Sequence, residues 1–351
     1  MVVKENTNKN KLKAFLKKKD IEISVERYLI DAMSHMALGL FSSLLVGTIL
    51  NTIGGWLGIA FLTETIWPIA KTMTGPAIGV AVAYGLKAPA FVIFASAITG
   101  AAGDALGGPV GAFISALIGA EFGKVVSGET KIDLIVTPTT TILTGVAIGN
   151  AIGPGISKFM TGLGQMIMYA TTLQPFWMGI VVSLLVGMAL TLPISSAAIA
   201  MMLGLEGLAA GAATAGCTAQ MIGFAVMSFR ENGWGGLMAQ GIGTSMLQIP
   251  NIVKNWKIWI PPTLAGVVTG PLATLVFKME NTPMGAGMGT AGFVGQFGTV
   301  TAMLEAGEGV GRIYLYILIL HFILPGVLTM IFAAPLRKWG WIKEGDLKLN
   351  I

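Results

Sequence analysis

Apolar residues run through this chain in long stretches with few interruptions, so continuous hydrophobicity rather than amphipathic alternation is the primary signal. Charge-free stretches cover 36–63, 72–86, 88–103, 105–120, 134–157, 159–205, 207–229, 232–253, 258–277, 281–304 and 313–336. A helix needs about 20 apolar residues to cross a bilayer. The stretch 159–205 therefore holds two elements, punctuated at Pro175 and Pro193. The stretches 72–86, 88–103 and 105–120 are short and rich in Gly and Pro, the expected trace of discontinuous or re-entrant helices. The pattern predicts an all-α polytopic membrane protein with about ten transmembrane helices and two re-entrant hairpins.

Part of the pattern recurs. Ser43-Leu44-Leu45-Val46-Gly47 returns letter for letter as Ser183-Leu184-Leu185-Val186-Gly187. Thr74-Gly75-Pro76 is echoed by Thr191-Leu192-Pro193, and Lys131-Ile132 with Pro138-Thr139 by Lys257-Ile258 with Pro262-Thr263. Both halves then reach a glycine-dense strip, Gly149–Gly164 and Gly285–Gly298. Matches in the same order predict an internal duplication, and a unit with an odd number of crossings places its second copy upside down. The expected layout is a cytoplasmic basic and amphipathic segment over 1–34, a first repeat over 35–170, a second repeat with a closing helix over 171–336, and a cytoplasmic tail over 337–351. Inverted halves are a common transporter plan, with the substrate between them near mid-membrane.

Composition agrees: 54% of residues are hydrophobic, 11% are charged and the mean hydropathy is +0.77, which excludes an ordinary soluble domain. Lys4, Lys9, Lys11, Lys13, Lys17, Lys18, Lys19 and Arg27 crowd the start, and Arg337, Lys338, Lys343 and Lys348 the end. The positive-inside bias then predicts cytoplasmic termini. The basic pI belongs to these ends, so nucleic-acid binding is a poor reading, and no cleavable leader is expected. The basic start suits anionic membrane lipid, and its amphipathic part the interface. Cys217 is the single cysteine, which excludes disulfides, and two distant histidines make no metal motif. No nucleotide-binding or nucleophile motif is present, and no cofactor or catalytic residue is expected.

Candidate chemistry lies in polar residues inside apolar stretches, where they are costly. The strip 283–300 is too glycine-dense to hold one long helix unaided, and a hairpin with Gln296 at its tip is expected there. A first-half counterpart would begin at Asn150. The substrate contacts predicted are Asn150, Glu206, Gln220, Gln248, Asn281, Thr290 and Gln296. Planar amides with aromatic neighbours suit a hydroxyl-rich solute. Asp104, Glu64 and Thr139 are candidates for a proton or cation. Trp56, Trp177, Trp234, Trp256 and Trp259 read as an interfacial belt. His321 reads as a residue facing another helix, Cys217 as packing, and Lys124, Lys131, Glu129, Arg230, Glu231, Lys254 and Lys257 as solvated loop charges.

Met178–Pro193, Gly204–Gln220, Gly233–Pro250 and Pro261–Gly298, with the basic amphipathic start, resemble the membrane (IIC) component of the bacterial sugar phosphotransferase system, in its stand-alone PfoR-like branch. The resemblance implies a homodimeric inner-membrane permease that presents a small, polar, sugar-like solute to separate IIA and IIB phosphocarriers. The residues alone leave open an Na⁺- or H⁺-coupled transporter, or a sensor that binds a solute without moving it.

Overall fold

The computed structural model describes residues 14–194 and 196–349. Lys4, Lys9, Lys11 and Lys13 lie outside the described residues, as does the side chain of Trp56. The described chain is helical almost throughout. Its main helices are α1 (Met33–Leu40), α2 (Val46–Leu57), α3 (Thr74–Gly85), α4 (Ala90–Val126), α5 (Asp133–Thr171), α6 (Pro175–Thr191), α7 (Gly207–Met227), α8 (Ile260–Pro271), α9 (Val294–Glu305), α10 (Val310–Ile317) and α11 (Leu324–Lys338). Among the described residues, six helical runs are long and apolar enough to cross a membrane by length and composition, the folded run Ala90–Val126 counted as one. Phe94, Leu134, Leu143 and Ile331 stay exposed while Ser96, Thr99, Thr214 and Thr269 are buried, the inverse of a water-soluble protein. With no hydrophobic drive between helices in lipid, close contact between small residues holds such a bundle together.

Two compact units emerge from the contacts. One takes the chain up to Leu40 together with Thr72–Ser157; the other takes Phe41–Lys71 and the chain from Lys158 onward.

In the first unit, α4 is a helical hairpin rather than one rod. Gly107 and Gly108 leave helical geometry, and Gly108 adopts φ 59°, ψ −154°, a conformation open to glycine. The chain turns there, Pro109 starts the return arm, and the two arms lie antiparallel. Side-chain room at Gly103 is closed by Ser115, at Gly119 by Thr99, and at Gly123 by Val92. Helix α3 lies along the first arm through Gly75 and Gly79. The first part of α5 covers both arms, Gly145 meeting Thr99 and Ser115, and Gly153 meeting Leu106.

Two expectations are corrected here. The strip 149–164 is continuous helix within α5, not a hairpin; Gly149 and Gly153 pack against Ser115 and Leu106 of α4 and thereby gain the tertiary support that isolated glycines lack. Lys124 is not a solvated loop charge. It is buried, and its Nζ donates to Asp20 O (2.6 Å) and Leu86 O (3.0 Å) and pairs with Glu121 (3.3 Å). Arg27 joins it, donating to Leu86 O (2.7 Å) and to the Asp20 carboxylate (2.8 Å). That bond holds the Asp20 carboxyl below the usual carboxylate range.

The second unit is built on α6, α7 and α8, with α11 against α7 and α8. Backbones meet closely where Gly187 faces Gly216 and Gly179 faces Gly270, and Ser183 Oγ donates to Gly266 O (2.9 Å).

Candidate functional site

The interior of the second unit holds three groups of buried polar side chains. The first is set by a break in the helices. After α8 and a short widened turn, no long helix resumes until Val294. Asn281 occupies this break at 1% exposure. Its Nδ2 donates to Thr214 Oγ1 (2.6 Å), Gly295 O (2.9 Å) and Thr299 Oγ1 (3.1 Å), and its Oδ1 accepts from Thr282 N (2.7 Å). Its backbone N–H reaches Gly207 O (3.3 Å), forming an isolated antiparallel bridge. Thr282 caps the short turn Pro283–Ala286 through Gly285 N (3.3 Å). Gly298 must be small, since a Cβ there would run into Asn281 Oδ1. Thr290 lies further along the same loop, buried, with its hydroxyl on Met221 Sδ (3.5 Å).

The second group centres on Gln220 in α7. Its Oε1 accepts from Trp259 Nε1 (2.9 Å) and Thr191 Oγ1 (3.3 Å), while Nε2 donates to Thr263 Oγ1 (3.1 Å). Thr191 extends the chain to Ser245 (2.8 Å). Trp259 is therefore more than a belt residue; its indole N–H is spent on a buried amide.

The third group holds the C-terminal tail. Gln248 Nε2 donates to Leu347 O (3.0 Å) and to Gln240 Oε1 (2.8 Å); Asn251 Nδ2 donates to Lys348 O (2.9 Å) and Gln248 Oε1 (2.8 Å). Asn232 clasps the tail from both of its polar atoms, bonding Leu347 O (2.8 Å) and Leu349 N (2.8 Å). Glu231 Oε2 accepts from Leu347 N (2.8 Å). Leu347 and Ile342 are buried beneath these bonds. Gln248, predicted as a substrate contact, is thus bonded within the chain, to the Leu347 carbonyl and to the side chains of Gln240 and Asn251.

Glu231, expected as a solvated charge, lies under the tail, and burial pushes its carboxyl above the usual range, with the Leu347 N–H and Arg337 pulling the other way. A carboxyl raised on folding adds stability that is complete below the unfolded range and lost as pH rises through the folded value. Glu231→Gln keeps an acceptor for Leu347 and removes the charge. Its melting temperature is expected to gain on wild type between pH 5 and pH 8, read as a pair of thermal scans (~1–3 °C, roughly the effect of 1 kcal/mol or less). A variant that parallels wild type at both pH values would contradict this.

Gln296 stands apart from these groups. It is 5% exposed, and its Nε2 lies 3.1 Å from His321 Nδ1. Its Oε1 and His321 Nε2 are buried with no hydrogen-bond partner. His321 sits in a widened helical turn, Leu318–Ile323, between α10 and α11; such turns frequently mark functional positions. Beside Gln296 opens a cavity of about 570 Å³, lined also by Phe293, Phe297, Thr301, Tyr314 and Phe322. Its size falls within the roughly 300–1,000 Å³ of small-molecule sites.

The remaining predicted residues are elsewhere. Glu206 is exposed at the start of α7, and Glu64 is exposed near α2. Asn150 and Thr139 are exposed on α5, and Asp104 is half-buried near the α4 turn, against Gly75. The second unit therefore brings Asn281, Thr290, Gln296 and Gln220 into one interior, while Glu206 and Glu64 lie on its surface. His321 faces another helix, as expected, but its partner, 25 positions away, carries no local signal.

A family model described as "Phosphotransferase system, EIIC" matches residues 30–349. The chain belongs to the phosphotransferase system EIIC family. As an EIIC protein with these apolar helices, it is a multi-pass membrane permease of EIIC type for sugar-like solutes, and it works with IIA and IIB phosphocarrier components. No curated protein and no solved structure matches the chain.

Proposed function

We propose that this EIIC protein moves its solute by alternating access, with the solute held in the second unit at the Gln296 cavity. The carrying observation is the Gln296 carbonyl, buried without a partner at the rim of an aromatic-lined cavity, while the other buried amides of this unit are satisfied by the protein itself. An unmet buried acceptor is costly, and a solute hydroxyl meets it. Asn281 and Thr290 hold the loop that presents Gln296. The chain adds no nucleophile in this reading; it orients a solute hydroxyl for the phosphorylated carrier.

The wider plan proposed is a homodimer in a bacterial inner membrane, with two inverted repeats, about ten crossings, a re-entrant hairpin over 283–300, both termini in the cytoplasm and anionic lipid against the basic ends. Uptake into liposomes tests the site. Gln296→Ala is expected to reduce uptake of a transported neutral sugar about tenfold, the worth of one good hydrogen bond, with its melting temperature little changed. Unchanged uptake would move the site elsewhere. Uptake driven by an imposed ion gradient with no phosphocarrier present would replace phosphoryl coupling by ion coupling.

A further inference from the structure

Two apolar runs of the second unit, Trp256–Val276 and Val310–Lys338, begin and end at the same place. Asn255 ties these ends together, its Nδ2 donating to Trp341 O (2.8 Å) and to the Asp346 carboxylate (2.8 Å). Gly340, at φ 72°, closes α11 by donating to Arg337 O (3.0 Å) and leaves Trp339 and Trp341 exposed on either side of it. The two indoles meet edge-on at 5.8 Å, and Lys257 Nζ lies 4.9 Å over the Trp341 ring. Exposed tryptophans at the ends of apolar helices mark the headgroup level of a bilayer. Lys254, Lys338 and Lys343 are exposed on the same two segments, and Lys257 is half-buried. Of the acids nearby, Asp346 is spent on Asn255 and on the Lys343 N–H (2.8 Å), Glu231 lies under the tail, and Glu344 stays exposed. The cluster is therefore positive as well as aromatic.

An apolar track leads away from it along α11. Val327, Ile331, Ala334 and Lys338 are all exposed and follow the four-three-four spacing of a single helix face. About 16 Å of helix separates Val327 from Lys338, close to one leaflet of a hydrocarbon core of about 30 Å. At its deep end the track opens into a groove of about 430 Å³ lined by Val226, Ile323, Gly326, Val327, Met330 and Ile331, all apolar or small. We infer that cluster and groove together bind one anionic phospholipid. Its phosphate lies among Lys257, Lys338 and Lys343 at the level of Trp339 and Trp341, and one acyl chain follows the track into the groove. This rests on the anionic lipid proposed above for the basic ends, and is independent of the Gln296 cavity. The groove alone would take any lipid tail, since hydrocarbon gains little by leaving hydrocarbon. Selection comes from the lysines, each worth roughly fivefold toward an anionic headgroup near a membrane surface.

The single cysteine makes a test direct. In a Cys217→Ala background, Ile331→Cys carries a bimane fluorophore, and the full chain is reconstituted in phosphatidylcholine vesicles. Phosphatidylglycerol with brominated acyl chains, which quench on contact, is compared with brominated phosphatidylcholine. Half-quenching is expected at a tenth or less as much of the glycerol lipid. The same fluorophore at Phe94→Cys, exposed on the first unit, should show less than a threefold difference. Lys257→Gln, Lys338→Gln and Lys343→Gln together should cut the preference at Ile331 below threefold. Without any label, phosphatidylglycerol should raise the melting temperature of wild type more than that of this triple variant. Equal quenching by the two lipids at Ile331, the same preference at Phe94, a preference that survives the triple substitution, or equal melting gains would each overturn the site. Where phosphatidylglycerol still stabilises both proteins over phosphatidylcholine, anionic lipid at the basic ends stands and only this site falls. No effect of phosphatidylglycerol on quenching or melting removes both.

Discussion

A chain ending at Gly340 is expected to melt more than about 10 °C below the full-length protein. Removing 341–351 strips the carbonyl acceptors from Gln248, Asn251 and Asn232, the N–H donor from Glu231, and the buried side chains of Ile342 and Leu347. A buried polar group left unmet costs about 1–3 kcal/mol. A fully buried Leu or Ile contributes roughly 1.5–3 kcal/mol. Water entering the vacated groove offsets part of this, leaving a loss on the order of 4–6 kcal/mol. At about 2–4 °C per kcal/mol for a domain of this size, the shift is large. Cys217 supplies the readout: it is buried and is the chain's single cysteine, so a thiol-reactive dye reports unfolding of the second unit directly. Leu347→Asp should reproduce most of the loss with the chain length intact. Matching melting curves for the truncated and full-length proteins would show that the tail bonds are replaced by solvent without cost.

Asn281→Leu is expected to be as damaging, and to abolish uptake as well. The leucine matches the volume but leaves the Thr299 hydroxyl and the Thr282 N–H facing hydrocarbon, while Thr214 keeps only its bond to Ala210 O (2.8 Å). Breaking a buried, fully bonded amide at several partners costs roughly 3–5 kcal/mol, since more than one buried group is left unmet. Thr299→Val removes one of the bonds and should cost only about 1 kcal/mol. The comparison in the same dye assay separates a hub from a bystander: similar curves for the two variants would remove Asn281 from that position. Because this residue also holds the loop that carries Gln296, transport should fall in Asn281→Leu even at temperatures where the protein remains folded.

The helical, membrane-embedded character of the chain was legible in its sequence, because runs of apolar residues report it directly. So was the broken backbone after Phe277: Asn281-Thr282-Pro283 followed by dense glycine cannot begin an uninterrupted helix, and Asn281, Thr290 and Gln296 were all named from that run. The reading failed where a residue's meaning depends on a distant one. The glycines of 149–164 looked like those of 285–298, yet they lie in a helix because Ser115 and Leu106 happen to face Gly149 and Gly153. The tail 341–349 looked like a solvated basic end, since nothing local shows that its carbonyls reach side chains about a hundred positions earlier. Glu231 and Lys124 depart from expectation for the same reason: charge next to a loop predicts solvent unless another segment covers it. His321 carried no local signal at all, because a lone histidine in an apolar helix reads the same whether it orders a partner or only fills space.

The about-face at Gly107–Gly108 bears on how this polypeptide is threaded through its bilayer. Both ends of α4 come out at one end of the hairpin, whether its arms reach the far leaflet or stop half-way, so the segment adds nothing to the parity of traverses. Labels inserted at 87–89 and at 128–131 should consequently report the same compartment, and any map of the protein that assigns them to opposite sides has counted a hairpin as a rod.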